Sequence, residues 1–255
     1  MRREALVLFL ALPACGNDST GAGGGDAGVS LGDGGGGFVD ADIPDGAKAF
    51  VDGGFAGPDG GVIRADRFVT NVVSFTPGEC AGFGIPDMPN IVEGPPVGAG
   101  SSAGSLDVVS LGIGGEIVLS FEPNAIVDGP GADFIVFENA FWTGGDPSKP
   151  AADYAEVSVS EDGTTWKTYA CAPPSDTTAC AGWHPVYSAP GNGISPVDPA
   201  TAGGEAYDLS SVGLTKAKLV RIKDRATSTC DGTPPKPTNY GFDLDAISIV
   251  NAETP

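Results

Sequence analysis

The stretch that decides the fold is ADFIVFEN, residues 132–139, in which four large apolar residues stand between two acidic ones. Such a short apolar run predicts a strand in the centre of a sheet. Four other short runs have turn residues between them: EIVLSF (116–121), AEVSVS (155–160), KLVRIKD (218–224) and FDLDAISI (242–249). The chain is therefore predicted to be all-β, with a single jelly-roll (galactose-binding-like) β-sandwich.

Local patterns refine this prediction. Glu156–Ser160 and Thr165–Tyr169 predict a hairpin, because Gly163 between them can adopt a positive φ. Trp166 in this hairpin is expected in the core. Residues 217–223 alternate apolar and basic side chains, which is typical of a strand with one solvent-facing side. No segment has a long apolar period of 3.6 residues, so helices are expected to be few and short.

The N-terminus has the features of a lipoprotein signal peptide, residues 1–15. Two arginines precede an apolar run over residues 5–12, which is shorter than the about 20 residues that span a bilayer. The following LPAC resembles a lipobox and predicts a lipid anchor on Cys15; the alternative is an ordinary secretory signal with a chance cysteine. We therefore expect export across the inner membrane and a lipoprotein of the outer membrane or cell surface, with the membrane as partner.

Composition divides the rest of the chain in two. Residues 16–62 are rich in glycine and aspartate and contain few large apolar side chains. Such a segment cannot bury enough surface to offset its ordering entropy, which predicts a disordered, flexible tether. Residues 63–255 then form the β-sandwich domain, a normal size for one sandwich.

Cysteine usage favours disulfides. The chain has five cysteines, and assigning Cys15 to the lipid leaves four, which allow three pairings. We favour Cys171–Cys180, which closes a small Pro/Ser/Thr-rich loop, and Cys80–Cys230, which joins the first strand region to a late loop. A zinc site is disfavoured, because there is no C-x-x-C pair and only one histidine.

The charge limits the class of partner. A formal net charge of −20 at pH 7 excludes a general nucleic-acid binder, which needs a basic face to displace counterions from phosphate. The same charge disfavours electrostatic adsorption to anionic lipid. It is compatible with solubility outside the cell and with divalent cations.

Four carboxylates predict a calcium site. In FDLD, Asp243 and Asp245 share one face of a strand, because side chains alternate. Glu138 and Asp224 each end a strand, where loops gather. Oxygen ligands in this number suit Ca²⁺, and a cation removes the repulsion between them. The alternative is that these carboxylates cap turns by accepting hydrogen bonds from backbone amides.

Four aromatic residues predict a ligand site. Trp142, Trp183, Tyr187 and Tyr240 lie beside Gly/Pro-rich loops, where a sugar ring or another planar small molecule can stack. The alternative is that these rings plug the ends of the sandwich, since aromatic side chains bury large areas wherever they can.

Several segments together resemble a family of bacterial cell-surface lipoproteins with jelly-roll or discoidin-like sandwiches. The resemblance covers about residues 106–251 and implies this fold and a surface location. Some related surface proteins lie beside outer-membrane uptake systems, which implies a role in ligand capture. No enzymatic activity is carried over from this resemblance. The segments are LGIGGEIVLSFEPNAIVDGPGADFIVFENAF (111–141), AEVSVSEDGTTW (155–166), CAGWHPVY (180–187), GGEAYDLSSVGL (203–214), AKLVRIKD (217–224) and YGFDLDAISIVN (240–251).

The leading hypothesis is a lipid-anchored, non-catalytic binding or adhesion module, which takes a carbohydrate or other small ligand and is steadied by calcium. The rival is an extracellular carbohydrate-active enzyme, in which Glu138 pairs with Glu156 or Asp245 as acid and base. A third reading is a purely structural envelope protein.

The lipid anchor is tested by Cys15→Ala. Without the thiol no lipid can be attached, so we expect the variant to move from the membrane fraction to the soluble fraction. Fractionation followed by immunoblotting measures this distribution, with Cys171→Ala as the control that stays in the membrane fraction. If the Cys15 variant still sediments with membranes, Cys15 is not the anchor.

Overall fold

The computed structural model describes residues 50–231 and 234–255. Cys15, the signal peptide and most of the predicted tether lie outside these residues. Within the described part, no helix is long and apolar enough to cross a membrane. Short 3-10 helices span Ala65–Arg67, Ile85–Asp87, Asn90–Val92, Thr143–Gly145 and Leu209–Val212. The strands are β1 (Phe50–Val51), β2 (Gly54–Ala56), β3 (Val62–Arg64), β4 (Asn71–Thr76), β5 (Val109–Ser110), β6 (Glu116–Ser120), β7 (Ile126–Val127), β8 (Phe134–Phe137), β9 (Phe141–Trp142), β10 (Pro150–Ala151), β11 (Ala155–Ser160), β12 (Lys167–Thr168), β13 (Glu205–Tyr207), β14 (Lys216–Ala217), β15 (Leu219–Asp224), β16 (Asp243–Leu244) and β17 (Ala246–Ile249).

Two antiparallel sheets form a sandwich, which confirms the all-β prediction. One has five strands in the order β12-β11-β15-β6-β4, and the other has three in the order β13-β8-β17. Alternate residues of both sheets meet in one main core, as expected when each sheet turns one face inward. From the two sheets this core contains Ile117, Leu119, Val157, Val159, Val220, Ile222, Phe134, Val136, Ile247 and Ile249.

Strand β8 is the central strand of its sheet, as predicted, and both of its faces are buried. Phe134 and Val136 belong to the main core. Ile135 and Phe137 point the other way, into a second apolar cluster. This cluster is completed by Val186, Ala202 and Ala246. The loop between β12 and β13 thus supplies side chains that cover the outer face of the sheet.

The predicted hairpin is confirmed, whereas the prediction for its tryptophan is wrong. Strand β11 pairs with β12, and Gly163 in the turn has a φ of 75°. Trp166 is only half-buried, and the Arg221 guanidinium lies 4.5 Å from its ring centroid. Arg221 alternates with core residues along β15, so Trp166 contacts the solvent-facing side of the sheet through a cation–π interaction.

The last predicted strand is divided in two. β16 pairs with β5 in a small separate sheet, whereas β17 pairs with β8. The interruption is Asp245, whose backbone N–H donates to the Phe137 carbonyl at 3.1 Å. Its carboxylate accepts the Val97 N–H at 3.0 and 3.1 Å. The chain therefore changes pairing partner at a fully buried aspartate.

The folded domain begins before residue 63. Strands β1 and β2 lie in the last part of the predicted tether and form an antiparallel meander with β3. The ring of Phe55 in β2 packs edge-on against the buried Phe68 ring, with centroids 5.4 Å apart. The composition of residues 16–62 did not reveal this contact, because one aromatic residue hardly changes the mean composition of a glycine-rich segment.

Both predicted cysteine pairs lie at disulfide distance. The Cα atoms of Cys171 and Cys180 are 4.8 Å apart, and those of Cys80 and Cys230 are 6.0 Å apart. The bridges span sequence separations of 9 and 150 residues. Loop-closure entropy then gives stabilisations of about 2–3 kcal/mol for the short loop and about 5 kcal/mol for the long one.

Candidate functional site: an aromatic cleft beside strand β13

A cleft of about 590 Å³ opens beside β13, an edge strand of the three-stranded sheet. Residues from β13, from the loop that follows Cys180 and from the segment around Thr201 line it. Its aromatic lining consists of Tyr169, Trp183, His184, Tyr187 and Tyr207. This volume falls within the range of small-molecule sites, which typically measure about 300–1,000 Å³.

Two tyrosines form the inner wall of the cleft. Tyr207 is 5% exposed and Tyr169 is 6% exposed, and their ring centroids lie 4.7 Å apart. The Tyr169 hydroxyl donates to the Asp208 carbonyl at 3.0 Å, and the Tyr207 hydroxyl donates to that of Ala179 at 3.4 Å. Burial raises the pKa of both phenols. This wall is therefore apolar and uncharged, and its rings are held by packing against Phe134.

The carboxylate of Glu205 holds the loop that carries Trp183 and His184, which also line the cleft. Its Oε1 accepts the backbone N–H of Trp183 at 3.0 Å and that of His184 at 2.6 Å. Its Oε2 accepts the Gly182 N–H at 2.7 Å. Three consecutive amides thus converge on one carboxylate that is 7% exposed. Charge-assisted bonds of this kind are stronger than neutral ones, so Glu205 clamps the loop in place.

His184 adds a fourth contact to this clamp. Its Nδ1 lies 3.1 Å from Glu205 Oε1, while about half of its side chain is exposed to solvent. The hydrogen bond to Glu205 raises the pKa of His184 above its ordinary value, against a smaller lowering by burial. The imidazole also lies 4.1 Å from the Trp183 ring, with an angle of 31° between the two planes. The position of the loop that carries Trp183 and His184, and the charge of the His184 imidazole, therefore both depend on Glu205.

Two of the four predicted aromatic ligand residues line the cleft. Trp183 and Tyr187 border it, and both side chains are half-buried. Trp142 and Tyr240 do not line it. Trp142 lies in β9, opposite Pro150 of β10. The Tyr240 backbone N–H donates to the Cys80 carbonyl near the long disulfide. Aromatic residues in Gly/Pro-rich loops thus lie at different places in the fold.

The sequence prediction did not include the other lining residues that shape this cleft. They are Tyr169, His184, Glu205 and Tyr207. The sequence Glu205-Ala206-Tyr207 could have indicated part of the site. Side chains alternate along a strand, so Glu205 and Tyr207 lie on the same face. Nothing in the sequence, however, identified Gly182, Trp183 and His184 as the partners of Glu205.

Two of the predicted calcium ligands are occupied by backbone amides. Asp224 accepts the N–H groups of Gly114 and Phe242 at 2.8 Å each, and that of Ala226 at 3.1 Å. Asp245 accepts that of Val97 with both oxygens. Both side chains thus accept hydrogen bonds from backbone amides, as in the alternative in which these carboxylates cap turns. Their assignment as calcium ligands is therefore not retained.

The other two predicted ligands lie in an acidic environment. Glu138 is 3% exposed, and its pKa is raised well above the ordinary value by burial and then by Asp243, Asp153 and Glu205. Burial likewise raises the pKa of Asp243, which accepts hydrogen bonds from the Ser110 hydroxyl and the Asn139 side chain. Burial and the charges of Asp243 and Asp224 raise the pKa of Asp153 to about 6.

The carboxylates of the rival enzyme hypothesis do not line the cleft. Glu156 lies on β11 opposite Lys223 of β15. It alternates with the core residues Ala155 and Val157, so its side chain is on the outer side of the five-stranded sheet. Glu138 directly follows β8 of the other sheet and lines a different cavity, together with Asn139 and Asp245.

A separate group of acids has carboxylate oxygens within 4.8 Å of one another: Asp128, Asp133 and Asp208. The buried member, Asp133, accepts three hydrogen bonds, from the Gly129 and Leu209 N–H groups and from the Asn251 side chain. Asp208 accepts the Ser210 N–H at 2.7 Å. These hydrogen bonds explain why the three acids lie close together: Asp133 and Asp208 bind the backbone and side-chain groups around them.

Comparison with known proteins gives no assignment: neither a scan against models of protein families nor a search of curated proteins finds a match. The function must therefore be inferred from the geometry of the chain itself.

The clamp predicts coupled effects of Glu205→Gln. The amide keeps the shape but replaces one acceptor by a donor, which faces N–H groups that then lack a partner. We expect the free energy of unfolding to fall by about 1–3 kcal/mol and the pKa of His184 to decrease. Chemical denaturation measures the first effect. NMR titration measures the second without ambiguity, because the chain has one histidine.

The pH dependence has a defined sign. Because the folded-state pKa of His184 is raised, the stabilisation by this contact is present in full below about pH 6.5, the unfolded value, and is lost as pH rises through the folded pKa. The Gln variant should lack this pH-dependent contribution. Glu253→Gln is the control, because the Glu253 side chain is about half exposed and forms its ion pair with Lys216 at the surface. A Glu205 variant with unchanged stability and unchanged His184 pKa would contradict the clamp.

Proposed function

We propose that this protein is a non-catalytic binding module, anchored at the bacterial cell surface by a lipid on Cys15, that captures a neutral carbohydrate in the aromatic cleft. The observation that carries the proposal is a half-exposed Trp183 on a loop whose backbone amides donate to the buried carboxylate of Glu205. A ring that is already fixed in its bound position loses little conformational entropy when a sugar stacks on it. The resemblance to cell-surface lipoproteins supports the same class of function.

The lining disfavours an anionic ligand. The cleft residues include no lysine or arginine, and the chain carries a net charge of −20. An anionic ligand would therefore meet no fixed positive partner except a protonated His184. A sugar presents an apolar ring face to Trp183 and hydroxyl groups to the polar rim, in keeping with sites that combine aromatic walls with a few polar groups.

Binding accounts for the polar groups better than catalysis does. A general base needs an acceptor that is free to take a proton from the substrate. Both oxygens of Glu205 already accept N–H groups of the loop. The phenols of Tyr169 and Tyr207 donate to backbone carbonyls. These side chains therefore serve to shape the cleft.

Trp183→Ala tests the proposal. Removing the stacking surface should weaken binding of a neutral oligosaccharide about tenfold or more, since central aromatic residues of binding sites typically contribute more than about 1.4 kcal/mol. Screening the wild-type chain on an array of neutral glycans identifies the probe. Isothermal titration calorimetry then measures its affinity for the wild type and the variants.

The matched control is Trp142→Ala, which removes a half-buried tryptophan of β9 outside the cleft. It should leave the affinity unchanged. Salt should have little effect on binding, because the proposed ligand is neutral. The proposal fails if no glycan on the array binds, or if Trp142→Ala removes binding while Trp183→Ala does not.

A further inference from the structure

Two buried oxygen atoms near the end of β8 accept no hydrogen bond from any described group. They are Glu138 Oε2 and Asn139 Oδ1. Both residues line one small cavity, which is bordered by Ala140, Val186, Asp245 and loop residues between Gly98 and Ser105. Glu138 is 97% buried. Most buried polar atoms in proteins have a partner, so two adjacent acceptors without one need an explanation.

The charges around these atoms point to a cation. The charged groups that act on Glu138 are the carboxylates of Asp243, Asp153 and Glu205, all of them negative. None of the ion pairs formed within residues 50–231 and 234–255 includes Glu138, Asp153 or Asp243. The protein thus concentrates acidic groups at a buried position without placing a lysine or arginine against them.

The neighbouring contacts connect Asp243 to the same place. The Asn139 side chain lies close enough to Asp243 to lower the pKa of that carboxyl by hydrogen bonding, and only the amide N–H can donate such a bond, so the Asn139 carbonyl oxygen takes no part in it. The Ser110 hydroxyl also donates to Asp243. Among the neighbouring charges, that of Asp243 acts most strongly on Glu138. Glu138 and Asn139 directly follow β8, and Asp243 begins β16.

We propose that Glu138, Asn139 and Asp243 hold one divalent cation, Ca²⁺, at this end of the sandwich. Two carboxylates and an amide carbonyl supply oxygen ligands only, which suits calcium and disfavours zinc, whose sites use nitrogen and sulfur. Backbone carbonyls and water complete the six to eight oxygens that calcium takes. The proposed ligands differ from those predicted from the sequence: Asn139 is added, and Asp224 and Asp245 are not included.

The test uses the full chain, purified without chelator. Elemental analysis should find one calcium per chain, which is lost on dialysis against EDTA. Calcium that binds only the folded state raises the melting temperature by mass action. At about 100-fold above the dissociation constant the expected rise over the EDTA sample is about 5–10 °C for a domain of this size. Magnesium at the same concentration should give a smaller rise.

Glu138→Gln removes one ligand charge and should abolish the calcium response while leaving a folded protein. Asp243→Asn should do the same, so the proposal stays testable if one variant fails to fold. Two controls should respond like the wild type: Glu156→Gln on the outer sheet face and Asp128→Asn in the separate acidic group. The proposal is overturned if the wild-type chain contains no calcium and melts alike in calcium and EDTA. It is also overturned if only Asp128→Asn loses the response.

Discussion

Burial of β8 on both faces is the constraint on which the rest of the structure depends. Phe134 and Val136 fill the core between the sheets, while Ile135 and Phe137 need a cover on the outside. Truncation of one buried phenylalanine typically costs about 3–5 kcal/mol, a large share of the about 5–15 kcal/mol that stabilises a domain. The segment that contributes Val186 and Ala202 must therefore fold back over the sheet.

That return of the chain creates the cleft. Tyr187 and Trp183 lie in the covering segment, and Glu205 lies on β13, paired with Val136 of β8. Because the register places Glu205 on the inner side at the sheet edge, its carboxylate meets the amides of residues 182–184. A loop with little regular structure is thereby fixed by a strand that cannot move without opening the core.

The proposed cation site depends on the same strand. Glu138 and Asn139 follow directly after Phe137, and Ala246 of β17 pairs with Phe137. Asp243 comes from β16, which pairs with β5 before the chain changes partner at Asp245. The acidic groups are thus brought together by the end of β8 and by the division of the last strand, two features that lie far apart in the sequence.

The fold was predictable where a pattern is local. The apolar run of β8, the Gly163 hairpin and the alternation along β15 each follow from neighbouring residues. The number of cysteines left three pairings open, and the small loop between Cys171 and Cys180 favoured one of them. The site was only half predictable. Trp183 and Tyr187 stood out as loop aromatics, but Glu205 acts on residues about twenty positions away. Asp243 and Asp245 alternate in sequence, yet tertiary pairing gives them different partners.

Native-state hydrogen exchange tests most directly the claim that this loop is clamped into a preformed cleft. We expect the amides of Gly182, Trp183 and His184 to exchange as slowly as those of β13, because opening them requires withdrawal of a buried carboxylate. Thr164, whose amide also bonds to an aspartate but on an exposed turn, should exchange rapidly. Exchange of the three loop amides as fast as that of Thr164 would show that Glu205 does not hold the loop.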